Sequence, residues 1–113
     1  MVFPEPCTGP MLLSMGIHQI WIISMLSEKV LSTCRVCGLL QPFFPWGEDG
    51  RTPTHDICSC CGVEFGYEDA TLIAIKRHRE DWVSKGAKWW NPKECPQDWD
   101  RDHQLENIPE EYK

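Results

Sequence analysis

Hydrophobic and polar positions change rhythm twice along the chain. From Met11 to Leu26 sixteen consecutive residues contain no Lys, Arg, Asp or Glu, and Leu12, Leu13, Ile17, Ile20, Trp21, Ile22 and Ile23 lie among them. Beyond Cys34, Pro42, Pro45, Gly47, Gly50 and Pro53 interrupt any long element, and Glu48-Asp49-Gly50 reads as a turn. Val63, Phe65 and Tyr67 then alternate with Glu64 and Gly66, the period of a half-buried strand. Thr54 to Ile57 is expected to pair with it as a short β-hairpin. From Asp69 or Thr71, either of which suits an N-cap, the period becomes that of a helix running to Lys85. Leu72, Ile75, Trp82 and Val83 lie near one face, and Gly86 is placed to end it. Pro92, Pro96 and Pro109 bracket a short helix expected over 101–107, in a tail that folds back through its tryptophans.

At about 1.5 Å per helical residue the early apolar run reaches roughly 24 Å, short of the roughly 30 Å hydrocarbon core of a bilayer. No membrane span is expected. A secretory signal needs positive charge before its apolar stretch, whereas Glu5 is the charged side chain there. A cytoplasmic location is therefore expected. All four methionines fall within residues 1–25, which leaves two readings of the leader open. Either Met25 is the true start and residues 1–24, an over-long start, are dispensable for folding, or the leader is a short helix that covers the core.

A length of 113 residues with 42% apolar and 25% charged residues suits one folded domain. The net charge of −6 disfavours polyanions such as nucleic acid or anionic membrane, so a basic protein is the expected partner. Seven cysteines call for disulfides, metal or redox chemistry.

Cys34-Arg35-Val36-Cys37-Gly38 and Cys58-Ser59-Cys60-Cys61-Gly62 are two C-x-x-C-G units separated by twenty residues. Two thiolates three positions apart on a tight turn face one ion, and the glycine after each pair permits the backbone angles that aim N–H groups at sulfur. The expected ligands are Cys34, Cys37, Cys58 and Cys61, around one Zn2+ per chain. Cys60 is the spare, because Cys58 with Cys61 repeats the spacing of the first unit. With four protein ligands no position remains for an activated water, so the site is structural. Arg35 is a candidate to offset its excess negative charge. Iron in a rubredoxin-like site takes the same ligands, and two C-x-x-C disulfides would need an oxidising compartment. Cys7 and Cys95 stand outside the motif.

The knuckles and the segment C-terminal to them resemble a group of small, uncharacterised bacterial zinc-ribbon proteins of the cysteine-rich CPCC type. The likeness runs from Cys34 to about Ile108 and is carried by Cys34, Cys37 and Gly38, by Cys58, Cys60, Cys61, Gly62, Glu64, Phe65 and Gly66, and by Trp82, Gly86, Trp89, Trp99 and Gln104. Where such proteins place proline after the first cysteine of a knuckle, this chain has Arg35 and Ser59. The resemblance implies a metal and a fold, not an activity.

The fold expected is thus α+β: an apolar leader over 1–33, a small zinc ribbon with its hairpin over 34–67, and an amphipathic helix with a Trp-rich tail over 68–113 packed on the ribbon. His18, His55, His78 and His103 are scattered, and no nucleophile–base set is recognisable, so the chain is expected not to be an enzyme. His55-Asp56 reads as a solvated strand end, and Lys76-Arg77-His78-Arg79-Glu80-Asp81 as a solvated helix face with pairs such as Lys76 with Glu80. The function expected is a non-catalytic, protein-interacting accessory module. Its docking surface would combine an exposed member of Trp89, Trp90 and Trp99 with acidic residues such as Asp98, Asp100, Asp102, Glu106, Glu110 and Glu111. The alternative is a nucleic-acid-binding ribbon, with Phe43, Phe44 and Trp46 beside the tail tryptophans and Lys76, Arg77, Arg79, Lys85 and Lys88 supplying charge.

Overall fold

The structure, a computed structural model, describes residues 27–113. The expectations for Cys7, for Met25 as a start and for the apolar run of the leader lie outside the described residues. Residues 27–32 are helical and lead into the first knuckle.

Both C-x-x-C-G units close as the same loop. Gly38 N–H donates to the Cys34 carbonyl at 3.0 Å and Cys34 N–H to the Leu39 carbonyl at 2.9 Å; in the second unit Gly62 donates to Cys58 and Cys58 to Val63, each at 2.9 Å. Single antiparallel bridges, Thr33 with Leu40 and Ile57 with Glu64, close the two necks. At Gly38 the loop needs a residue without a side chain. Its φ is 85°, and a Cβ there would strike the carbonyl oxygen of Gln104, brought in by the tail.

The expected β-hairpin is not formed as strands. Thr54–Ile57 and Val63–Tyr67 meet through the Ile57–Glu64 bridge and a bond from Phe65 N–H to the Asp56 carbonyl at 2.9 Å. The pairing stops because the Glu64 carbonyl accepts from the N–H groups of both Tyr67 (3.1 Å) and Glu68 (3.3 Å), which curls the chain straight after Phe65. On the facing segment His55 takes a φ of 66°, incompatible with a strand. Val63 and Phe65 are buried as the alternation requires, but Tyr67 is 74% exposed. Among the described residues the β component is therefore a pair of isolated bridges.

The long helix spans Leu72–Ser84. Thr71 caps it, its hydroxyl accepting from Ala74 N–H at 3.1 Å. Asp69, the other candidate, is fully buried and otherwise engaged: its carboxylate accepts from Trp46 Nε1 at 2.8 Å and from Gly66 N–H at 2.7 Å. At the far end Gly86 N–H reaches the Val83 carbonyl and Ala87 N–H the Trp82 carbonyl, the paired bonds of a Schellman termination. Ile75 and Trp82 are buried, whereas Leu72, expected on the same face, is 45% exposed. Positions 78 and 79 complete the i, i+3, i+4, i+7 stripe between those two anchors, and His78 and Arg79 accordingly turn inward. The expected solvated face holds at Lys76, Arg77, Glu80 and Asp81, which are exposed, and is corrected at His78 and Arg79. The i, i+4 ion pair that forms is Asp81 with Lys85, at 3.0 Å.

The tail contains 3-10 turns at Pro92–Glu94 and Glu110–Tyr112 and a short helix at Arg101–Leu105, capped by Asp100. That helix ends before 107 because Glu106, Asn107 and Ile108 donate to carbonyls three residues back, not four. Trp99 packs against Trp82 and Trp89, with ring centroids 6.3 and 5.6 Å apart, while Phe43 meets Phe65 edge to face. Val36, Val63, Phe65, Ile75 and Trp82 complete a thin core around the cysteines.

Two glycines separate strain from collision. Gly38→Ala in the full chain is expected to cost more than about 2 kcal/mol, since a positive φ and a backbone collision act together. Gly86→Ala, with no atom nearer its Cβ than 3.9 Å, should lose about 1 kcal/mol from φ alone. Urea unfolding checks the order, and equal losses would mean that Gln104 yields without cost.

Candidate metal centre

The knuckle loops bring together Cys34, Cys37, Cys58 and Cys61, all buried, with their four Sγ atoms within 4.8 Å of one another. They could hold a metal ion. Two contacts cross between knuckles, Cys34 to Cys61 at 3.8 Å and Cys37 to Cys58 at 3.7 Å. A tetrahedral ion with bonds of about 2.3 Å to sulfur requires sulfur–sulfur edges of about 3.8 Å, so the donor set fits such an ion. All four are free thiols, without a disulfide.

The electrostatics show what four buried thiols lack. Burial pushes the Cys37 and Cys61 thiols well up. Cys58 is pushed far down, because hydrogen bonds from Cys34, Cys37 and Cys61 converge on its sulfur. A divalent cation binds such sulfurs as thiolates and displaces their protons. Cys58 Sγ also receives a bond from Gln41 Nε2 at 3.4 Å, and the Cys61 backbone N–H points at it.

Cys60 is fully buried but lies outside the cluster. Gln104 Nε2 donates to its Sγ at 3.3 Å and to the Cys37 carbonyl at 3.1 Å, while Gln104 Oε1 accepts from Trp99 Nε1 at 2.7 Å. One tail side chain thus joins both knuckles. Cys95 is half-buried and bonded to the Pro96 carbonyl at 3.5 Å.

Arg79, expected on a solvated face or among nucleic-acid-binding cations, instead points at backbone carbonyls. Its guanidinium donates to the carbonyls of Val36 (2.7 Å), Arg35 (2.9 Å) and Tyr112 (2.6 Å), tying helix, first knuckle and C-terminal turn. Burial lowers its pKa, and the neighbouring cysteine cluster works in the opposite direction. Arg35, the expected counter-charge, is instead stacked between Trp46 and Tyr112, at 4.2 and 4.6 Å from the ring centroids, and donates to the Gly50 carbonyl. His78 Nε2 bonds the Cys61 carbonyl at 3.0 Å. The signal for both inward residues was their position between Ile75 and Trp82. His55 is exposed, as a solvated position should be, with Nδ1 3.8 Å from Glu64.

With this geometry established, comparison with known proteins places the chain among bacterial relatives. It is 35% identical to the uncharacterised protein YozI of Bacillus subtilis (strain 168) over 86 residues, covering 60% of this chain and 69% of that one. It is 31% identical to YoaQ, an uncharacterised protein of the same organism, over 88 residues, covering 63% and 72%. The chain belongs to the family of YozI and YoaQ. No family model and no solved structure matches it. Among the described residues no helix is long and apolar enough to cross a membrane.

The role of Arg79 separates it from its neighbour. Arg79→Ala removes hydrogen bonds to three carbonyls and should destabilise by about 2 kcal/mol or more. Arg77→Ala, at an exposed position, should stay within about 0.5 kcal/mol. Chemical denaturation of both decides, and a neutral Arg79→Ala would return residues 76–81 to a solvated face.

Proposed function

We propose that this chain is a non-catalytic zinc-binding protein of the cytoplasm, an accessory or protein-interaction module. One Zn2+ per chain is held by Cys34, Cys37, Cys58 and Cys61 in a pair of ribbon-type knuckles. The observation that carries the reading is the enclosure of four buried thiols within 4.8 Å. Soft sulfur donors favour zinc over hard cations, and four of them leave the ion no open position for substrate or water, which fits a structural role. A reducing compartment keeps such thiols available.

A basic protein partner is supported by the net charge of −6 and by Trp90, which stays 64% exposed while Trp89 and Trp99 pack against the core. Lys85 and Lys88 beside Trp90 favour the second reading, a nucleic-acid-binding ribbon. Two observations weigh against it: Arg79, counted among the cations, bonds backbone carbonyls, and Lys85 is paired with Asp81.

Purified protein is expected to carry one zinc per chain by elemental analysis. Cys37→Ser should lose the ion and the cooperative melt together, since zinc binding in small modules supplies on the order of 10 kcal/mol of folding free energy. Cys60→Ser and Cys95→Ser should keep full zinc content. Because the ligands bind as thiolates, protons compete with the ion, and occupancy should fall as pH is lowered. A metal-free preparation that melts like the zinc-loaded protein would sink this reading.

A further inference from the structure

Trp90 is exposed yet rigidly held. Its N–H donates to the Cys60 carbonyl at 2.9 Å, the next N–H, of Asn91, donates to the Ser59 carbonyl at 2.8 Å, and its ring lies so close to Gly62 that a Cβ there would be 2.8 Å from Cε3. It borders a cavity of about 590 Å³ between the second knuckle and the long helix, lined also by Ile57 and Tyr67, by the carboxylates of Glu64, Glu68 and Asp81, and by Lys85 and Lys88, so that acidic groups outnumber the lysines by one. None of the tail carboxylates lines it. Asp81 is neutralised by Lys85 at 3.0 Å. Glu64 and Glu68 have no Lys or Arg partner among the described residues; they face His55 and His78, at 3.8 and 3.7 Å. A rigid aromatic face and two carboxylates without a cationic partner together suit a cation that arrives from outside.

We propose that this cavity receives a lysine or arginine side chain from an extended basic segment of a partner protein. The cation lies against the Trp90 ring and the Glu64 and Glu68 carboxylates, and the apolar stem of the segment covers Ile57 and Tyr67, which are 47% and 74% exposed. This rests on the basic-partner reading above and names its surface. An aromatic held by backbone bonds and by packing on Gly62 loses little freedom on binding, which is what makes such a residue an anchor.

The test uses the full zinc-loaded chain at physiological salt and three fluorescein-labelled probes: a peptide with three arginines spaced by alanines, the same peptide with glutamates in their place, and a single strand of oligouridylate. Fluorescence anisotropy should show binding of the arginine peptide and not of the glutamate peptide. Trp90→Ala, and Glu64→Gln with Glu68→Gln, should each weaken it about tenfold or more, while Asp98→Asn with Asp100→Asn changes it less than about twofold. Zinc content and melting report whether each variant is folded; if Trp90→Ala is not, Tyr67→Ala and the glutamine variants carry the test. Arginine-peptide binding that ignores all these cavity variants but is lost in the tail variant overturns this surface and leaves the basic-partner reading standing. No binding of the arginine peptide overturns the proposal. Oligouridylate binding that is lost in Lys88→Ala overturns the basic-partner reading as well.

Discussion

Four thiols buried within 4.8 Å of one another are the constraint on which the rest of the structure depends. Burial penalises thiolate, and proximity penalises a second negative charge, so a cation is what would let all four sulfurs ionise together. Its position decides everything nearby. The four sulfurs come from two loops that share one hydrogen-bond pattern, and the fully buried Val36, Val63 and Phe65 lie within or next to those loops. The apolar core is an extension of the cysteine cluster, too thin to order two loops without it.

Much of this was legible in the residues. Two C-x-x-C-G units specify two loops facing one centre, because the spacing of thiols and the glycine conformation leave the backbone few alternatives. The end of the helix was legible to within a residue, because Gly86 lacks a side chain, and its start to a choice between Asp69 and Thr71, both of which carry capping chemistry. The hairpin was not. Alternation of Val63, Phe65 and Tyr67 reports burial on one face, and a turn that buries two of them and exposes the third produces nearly the same pattern. What decides between strand and turn is the carbonyl of Glu64, which accepts two local N–H groups in place of a partner strand, and no side chain announces that.

Arg79 marks a different boundary of sequence reading. A run of six charged or polar residues, 76–81, looks solvated because charge is normally excluded from thin cores. The helical period nonetheless turns positions 78 and 79 toward the knuckles, where the carbonyls of Arg35, Val36 and Cys61 have no strand N–H groups to accept from. Regular β-structure would have bonded those carbonyls. Its near absence among the described residues and the inward arginine are two sides of one hydrogen-bond balance: what the backbone does not pair with itself, inward side-chain donors must pair.

The same balance fixes the tail and, through it, the exposed face. Gln104, oriented by Trp99, donates to Cys37 and Cys60, and the backbone of Trp90 and Asn91 donates to Cys60 and Ser59. Each acceptor the tail reaches in these bonds belongs to a knuckle. The tail therefore has no fixed docking surface until the loops are closed, and Trp90 has no fixed position until the tail is docked. A module built in this order couples its outer face to its innermost chemistry: whatever holds the four sulfurs together also holds the aromatic ring that the protein presents to its surroundings.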